Sequence, residues 1–170
     1  TYTTETIHNE CNKVVSDRLR AELCTAMRTQ QDSIKRPRFG YAENTLLELA
    51  GIDPDNTTSA EIRQKMEAFF KANYKCLECT DVVSPFPRGN YLKQLASGNY
   101  LRQFQTFLRA YKFPVNIIDE GDGCTVLDYV DAKIIDTPES STNTHEYLQK
   151  VRALLIREGA KHANDLGGKC

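Results

Sequence analysis

No run of apolar residues in this 170-residue chain approaches the roughly 20 needed to cross a bilayer as a helix, so no helical membrane span is expected. Net charge is nearly absent too. The 22 basic and 23 acidic residues leave a formal −1 at pH 7, which argues against a nucleic-acid binder built on bulk positive charge. The basic cluster Lys35-Arg36-Pro37-Arg38 is short and reads as solvated surface. The three histidines, His8, His145 and His162, are isolated, so no second Cys or His pair stands at zinc-ligand spacing. His145 falls at a helix start, where it reads as a solvent-facing position and not as a base. G-x-S-x-G, a cysteine-nucleophile signature and a glycine-rich phosphate loop are all missing. Together these absences point away from an enzyme and imply no cofactor and no metal.

The composition that remains is globular. Hydrophobic residues make up 40% and charged residues 26%, outside the disordered range. A chain this long buries roughly 70% of its unfolded surface, enough for a core without staples. The expected organisation is an N-terminal helix or arm over residues 1–40, a body over 41–163 and a mobile tail over 164–170.

Six cysteines, at 11, 24, 76, 79, 124 and 170, are the outlying count. They favour an oxidising compartment such as a periplasm, the alternative being reduced, partly buried thiols in the cytoplasm. The chain opens at Thr1 with no Met and no leader, which leaves room for a cleaved leader or a trimmed start. The disulfide candidates are Cys11, Cys24, Cys76 and Cys79. Cys11 and Cys24 lie too far apart along one predicted helix to bridge each other, whereas Cys24 joined to the Cys76/Cys79 loop would tie the arm to the body. As a redox pair, Cys76-Leu77-Glu78-Cys79 should sit between a strand and a helix, but a helix precedes it.

Hydrophobic periodicity predicts helices throughout. Over 5–30, Ile7, Cys11, Val14, Val15, Leu19, Leu23, Ala26 and Met27 share one face. Short helices are expected at 44–50, 90–96 and 126–134. Each is followed by a longer one: from the Thr58–Glu61 capping box to about Tyr74, from Tyr100 to Tyr111, and from an Asn143–Glu146 box to about Glu158. Phe69, Phe70, Phe104 and Phe107 fall on core faces, as do Leu148, Val151, Leu154, Leu155 and Ile156. Between the second and third units the stretch 113–125 reads as an extended strand and an acidic turn, with Gly121 and Gly123 allowing the reversal and Thr125 starting the next helix. A short helix, a break, a longer helix and a loop thus occur three times, which is how stacked helix pairs build a solenoid core.

The residues of these units resemble ankyrin repeats. Gly123-Cys124-Thr125-Val126-Leu127-Asp128-Tyr129-Val130 resembles G-x-T-P-L-H-x-A, with Val115-Asn116 upstream like the ankyrin "VN". Leu154-Leu155-Ile156-Arg157-Glu158-Gly159-Ala160-Lys161 is similar to the repeat ending L-L-L-x-x-G-A-D, and Asn44 to Ala50 to T-P-L-H-L-A. Leu46 and Val126 replace the usual Pro, Glu43 stands where a Gly belongs, Tyr91 replaces a Thr, and about a dozen residues around 135–144 are inserted between the last two helices. The resemblance covers 44–161 loosely and 113–161 well.

It implies an all-α, short ankyrin-like solenoid of about three irregular helix pairs with an N-terminal capping helix, working as a non-catalytic protein-binding module. The finger residues it implies are Ile118, Asp119, Glu120 and Asp122, with Arg88 and Asn90 in the preceding unit and Lys93, Asp128 and Asp131 as exposed inner-helix positions. Such an acidic finger would favour one protein partner with a basic contact surface. The alternative is that Asp119 and Asp122 only shape the turn. Small size and cysteine count suggest an inhibitor or neutraliser of a single partner, such as a bacterial toxin-immunity protein. A scaffold or adaptor subunit, and a redox or metal protein using Cys76 and Cys79, are the other classes.

Overall fold

The computed structural model describes Arg18, residues 21–23, Thr25, and residues 41–77, 91–97, 101–119 and 121–170. All regular structure among them is helical, so the described residues are all-α as expected. The order is α1 (Tyr41–Leu49), α2 (Ser59–Asn73) running into a 3-10 turn (Tyr74–Leu77), α3 (Tyr91–Ser97), and α4 (Leu101–Gln105) widening into a π-turn (Thr106–Ala110). Next come α5 (Val126–Asp136), α6 (Thr142–Arg157) and a last 3-10 turn (Ala163–Leu166). No described helix is long and apolar enough to cross a membrane. Cys11, Cys24, Cys79, Arg88, Asn90, Glu120 and the basic cluster at 35–38 lie outside the described residues.

Local chemistry sets these boundaries. The Thr58 hydroxyl accepts from the Glu61 N–H at 3.2 Å and starts α2. Thr125 does the same for α5, and the Asp128 carboxylate reaches back to the Thr125 N–H at 2.9 Å, completing a capping box. By contrast α6 begins at Thr142, ahead of the expected Asn143 box, and its cap residue Ser141 makes no side-chain bond. His145 does not face solvent as expected. Its Nε2 donates to the carbonyls of Thr137 (2.9 Å) and Pro138 (3.1 Å) and closes the loop between α5 and α6. The expected strand before the finger is extended chain without a ladder, because no described segment lies beside it as a strand.

The core is continuous through these elements. Phe70 of α2 meets Phe113 at 5.0 Å and Phe107 at 5.5 Å between ring centroids, and Phe107 meets Tyr111 edge-on at 5.3 Å. Such aromatic pairs contribute about 0.5–1.5 kcal/mol each beyond their buried area. Phe104 is fully buried, while Phe69 is partly buried against the cluster. Leu23, on the predicted apolar face of the N-terminal segment, is fully buried in this core. Ile156 departs from its predicted face: it is 48% exposed, because the buried stripe of α6 is formed by Tyr147, Leu148, Val151, Leu154 and Leu155. Glu43, at the position where the resemblance expects Gly, accepts a 3.0 Å bond from the Tyr111 hydroxyl and so links α1 to the end of the π-turn.

Helix packing positions the candidate site. α3 packs on α4 and on α5, α4 on α6, and α5 on α6. The first helices of these two successive pairs therefore touch each other, and so do the second helices. Tyr147 of α6 adds a bond from its hydroxyl to the Leu95 carbonyl of α3 at 3.1 Å.

Candidate functional site

The finger lies between the π-turn and α5. Its base is a tight reversal: Gly123 N–H donates to the Asp119 carbonyl at 2.8 Å and Asp119 N–H to the Cys124 carbonyl at 3.2 Å. Gly123 holds φ +72°, and a Cβ there would meet the Lys169 carbonyl oxygen at 2.8 Å, so both conformation and space demand glycine. The Asp122 carboxylate accepts from the Cys124 N–H at 2.9 Å, a local turn bond of the kind anticipated for the acidic residues.

Lys93 is not exposed. Its side chain is 2% accessible and rises from α3 under the finger, where Nζ lies 2.7 Å from Asp119 Oδ2 and 3.0 Å from Asp122 Oδ2. It also donates to the Cys124 carbonyl at 3.0 Å. An ammonium has three donors and no acceptor, and two carboxylates and a carbonyl meet them. The Asp119 side chain is 1% accessible and that of Asp122 17%. Their charge is turned inward, so among the described residues the finger does not offer the free acidic face expected of it. A buried charge requires such pairing, because leaving it alone is strongly unfavourable. A sequence signal for this existed. In Tyr91-Leu92-Lys93-Gln94-Leu95-Ala96 the lysine falls among Leu92, Leu95 and Ala96, all buried, so a lysine there needs an acidic partner.

The α5 carboxylates are engaged as well. Asp128 Oδ2 accepts from the N–H groups of Thr125 and Ala163, both at 2.9 Å. Asp131 accepts from Arg152 Nε at 2.6 Å and His162 Nε2 at 2.7 Å. Burial alone would raise the Asp131 pKa, but the bonds from His162 and Arg152 and their positive charge outweigh it and hold the carboxyl below its ordinary value. The bond to Asp131 raises the His162 pKa above 6.5 against the opposing effect of burial, and the charges of Asp131, Asp128 and Asp165 add to the rise.

Residues 164–170 were expected as a mobile tail, and neither Cys124 nor Cys170 as a disulfide partner. Instead Cys124 and Cys170 form a disulfide, with Cα atoms 4.9 Å apart. The tail is bonded to itself and to the body. Gly168 N–H donates to the Ala163 carbonyl at 2.9 Å, Cys170 N–H to Asn164 Oδ1 at 3.2 Å, and the Thr125 hydroxyl to the Lys161 carbonyl at 2.7 Å. Gly168 lies against Ile118: a Cβ on it would stand 2.9 Å from Ile118 Cδ1. Behind the finger, Asn116 spans the turn that ends α6, donating from Nδ2 to the Gly159 carbonyl at 3.1 Å and accepting the Lys161 N–H at 2.8 Å. The "VN" and "GA" motifs are thus bonded to each other. Cys76 is also disulfide-bonded.

Cys124, Asp128 and Cys170 bring ligand atoms within 4.8 Å of one another. Metal ligation by cysteine needs thiolates, and both sulfurs are joined to each other, so the oxidised protein offers one carboxylate there. A cavity of about 290 Å³ between α3, α5 and α6, bordered by Ala96, Lys133, Thr144 and Tyr147, lies at the small end for a ligand pocket. Comparison with known proteins adds no relative: no family model matches the chain, and no curated protein and no solved structure does.

Proposed function

We propose that this chain is a non-catalytic, ankyrin-like protein-binding module whose contact surface is the finger at 117–123 together with the adjoining face of α5. The observation that carries this reading is the packing of the pairs α3/α4 and α5/α6, first helix on first and second on second, with the finger connecting them. That arrangement supports a short helical solenoid, whose repeated units build an extended surface. A finger fixed by the Lys93 ion cluster and by the Asn116 bonds is pre-organised, which lowers the entropic cost of binding.

Within that class the chain acts as an inhibitor or neutraliser of one protein partner, of which a toxin-immunity protein is the concrete form. Its disulfides, which suit an oxidising compartment, favour this over a scaffold role. The internal pairing of Asp119 and Asp122 revises the contact chemistry. A strongly basic partner surface is no longer called for, and the exposed apolar tip, Ile118, takes the leading part.

The test is co-purification of the tagged chain from its source under crosslinking, followed by binding measurements with Ile118→Asp and Glu120→Lys. Asp119 is unsuitable for charge reversal because its ion pair is buried. A central contact is worth about 2 kcal/mol or more, roughly a 30-fold loss of affinity. Unchanged affinity in both variants overturns the finger as the site.

A further inference from the structure

We propose that residues 161–170 form a strap across the finger face, latched by the Cys124–Cys170 disulfide and released by a reducing dithiol. This rests on the reading of the finger as the contact surface, and it adds a regulation of that surface.

The strap touches the described residues of this face one after another. Ala163 N–H occupies Asp128, His162 occupies Asp131, Cys170 occupies Cys124 and Gly168 lies on Ile118. A protein reaching Ile118 and the start of α5 competes with the chain's own end. The strap's non-covalent hold on the body is four polar contacts, to Asn116, Thr125, Asp128 and Asp131. Asn164, Asp165, Leu166, Gly167, Lys169 and Cys170 are exposed, and from 161 onward Ala163 is the buried residue. These contacts, the half-exposed His162–Asp131 ion pair among them, contribute about 0.5–1.5 kcal/mol each, and with one buried methyl group they fall short of the roughly 1–2 kcal/mol per residue that ordering about ten residues costs. The covalent bond decides whether the strap stays down.

The latch is reachable, because Cys170 is exposed. A thiolate of the reducing dithiol attacks Cys170 Sγ and expels the Cys124 thiolate, which takes a proton from water. The second thiol of the reductant then resolves the mixed disulfide. The chain gains two electrons and two protons, and the dithiol leaves as its own disulfide.

Hydrogen exchange on the full chain tests this, comparing the oxidised protein with Cys170→Ser, which leaves the Cys76 disulfide untouched. In the variant, the amides of Ala163, Gly168 and Gly123 are expected to exchange at least roughly 10-fold faster, while those of 127–130 in α5 and 151–155 in α6 keep their protection. Unchanged protection of Ala163 and Gly168 overturns the proposal, since the strap then holds without its latch. Loss of protection in α5 and α6 also overturns it, since the bond then maintains the fold and not a strap. These outcomes need no partner and so are independent of the binding reading. With the co-purified partner, Cys170→Ser is expected to bind at least about 10-fold tighter than the oxidised chain. Equal affinity refutes gating while binding stands. An opened chain that binds no protein refutes the module itself and takes the gating proposal with it.

Discussion

Lys93 Nζ on α3 and Asp119 Oδ2 in the finger lie 2.7 Å apart, with both side chains almost wholly shielded from water. The pair ties α3 to the segment before α5 through a charge that neither could keep buried alone. Replacing Lys93 with Met is therefore expected to destabilise the protein by about 3–5 kcal/mol, because it strands a buried carboxylate. Lys93→Met combined with Asp119→Leu should recover much of that loss, since well-packed apolar groups often substitute for a buried ion pair at little cost. Urea denaturation of the two singles and the double gives the coupling energy. A double variant as unstable as the sum of the singles would show that the two residues do not act as a pair.

Thr125 serves both α5 and the chain end. Its hydroxyl oxygen caps the helix and its proton goes to the Lys161 carbonyl. Thr125→Ala is expected to lower stability by about 1–2 kcal/mol, with Thr125→Ser close to wild type. The measurement is the denaturation midpoint, and a Ser variant as weak as Ala would mean that the methyl group, not the hydroxyl, matters.

His162 and Asp131 give opposite pH signatures. The folded His162 pKa is raised, so its contribution is fully present below about 6.5, the unfolded value, and is lost as pH rises through the folded one. The folded Asp131 pKa is lowered, so its contribution is present above about 3.9 and is lost as pH falls through the folded value. Wild type should lead His162→Gln in thermal midpoint at pH 5.5 and lose that lead by pH 8. A difference independent of pH would detach the effect from the titration. The size is small, because His162 is 39% exposed and solvent screens the pair.

Glu43 behaves in the reverse sense from Asp131. Burial pushes its pKa above the ordinary 4.5, against the Tyr111 bond and the Arg102 charge. The folded state then binds a proton that the unfolded state has released. Stability falls as pH rises from 4.5 through the folded pKa. Glu43→Gln can still accept from the Tyr111 hydroxyl without the charge, so it should be more stable than wild type at pH 7 and equal to it below pH 4. Calorimetric scans across that range check it, and a Gln variant weaker at pH 7 would contradict the assignment.

The helices and most of the core were legible because both follow from periodic apolar spacing: Ile62, Met66 and Phe70, or Leu148, Val151 and Leu155, declare their faces without tertiary information. Caps were legible where a Thr hydroxyl and an acidic residue three positions on meet a helix start, as at Thr58 and Thr125. The site was less so. The resemblance to ankyrin repeats implies an exposed Lys93, whereas its place among Leu92, Leu95 and Ala96 buries it. The partner of a buried charge is a long-range fact, and so is the pairing of cysteines. Cys124 and Cys170 sit in unrelated local contexts, and only the path of the chain after Gly159 brings them together.

The Cys124–Cys170 bond closes a covalent ring that contains all of α5 and α6 and the loop between them. Along that span the polypeptide no longer depends on every peptide bond for its continuity. A protease that cuts once in the loop at 137–141 produces two chains that remain one molecule, of unchanged mass plus one water, until a reductant arrives. Damage and separation thereby become distinct events for the last helix pair.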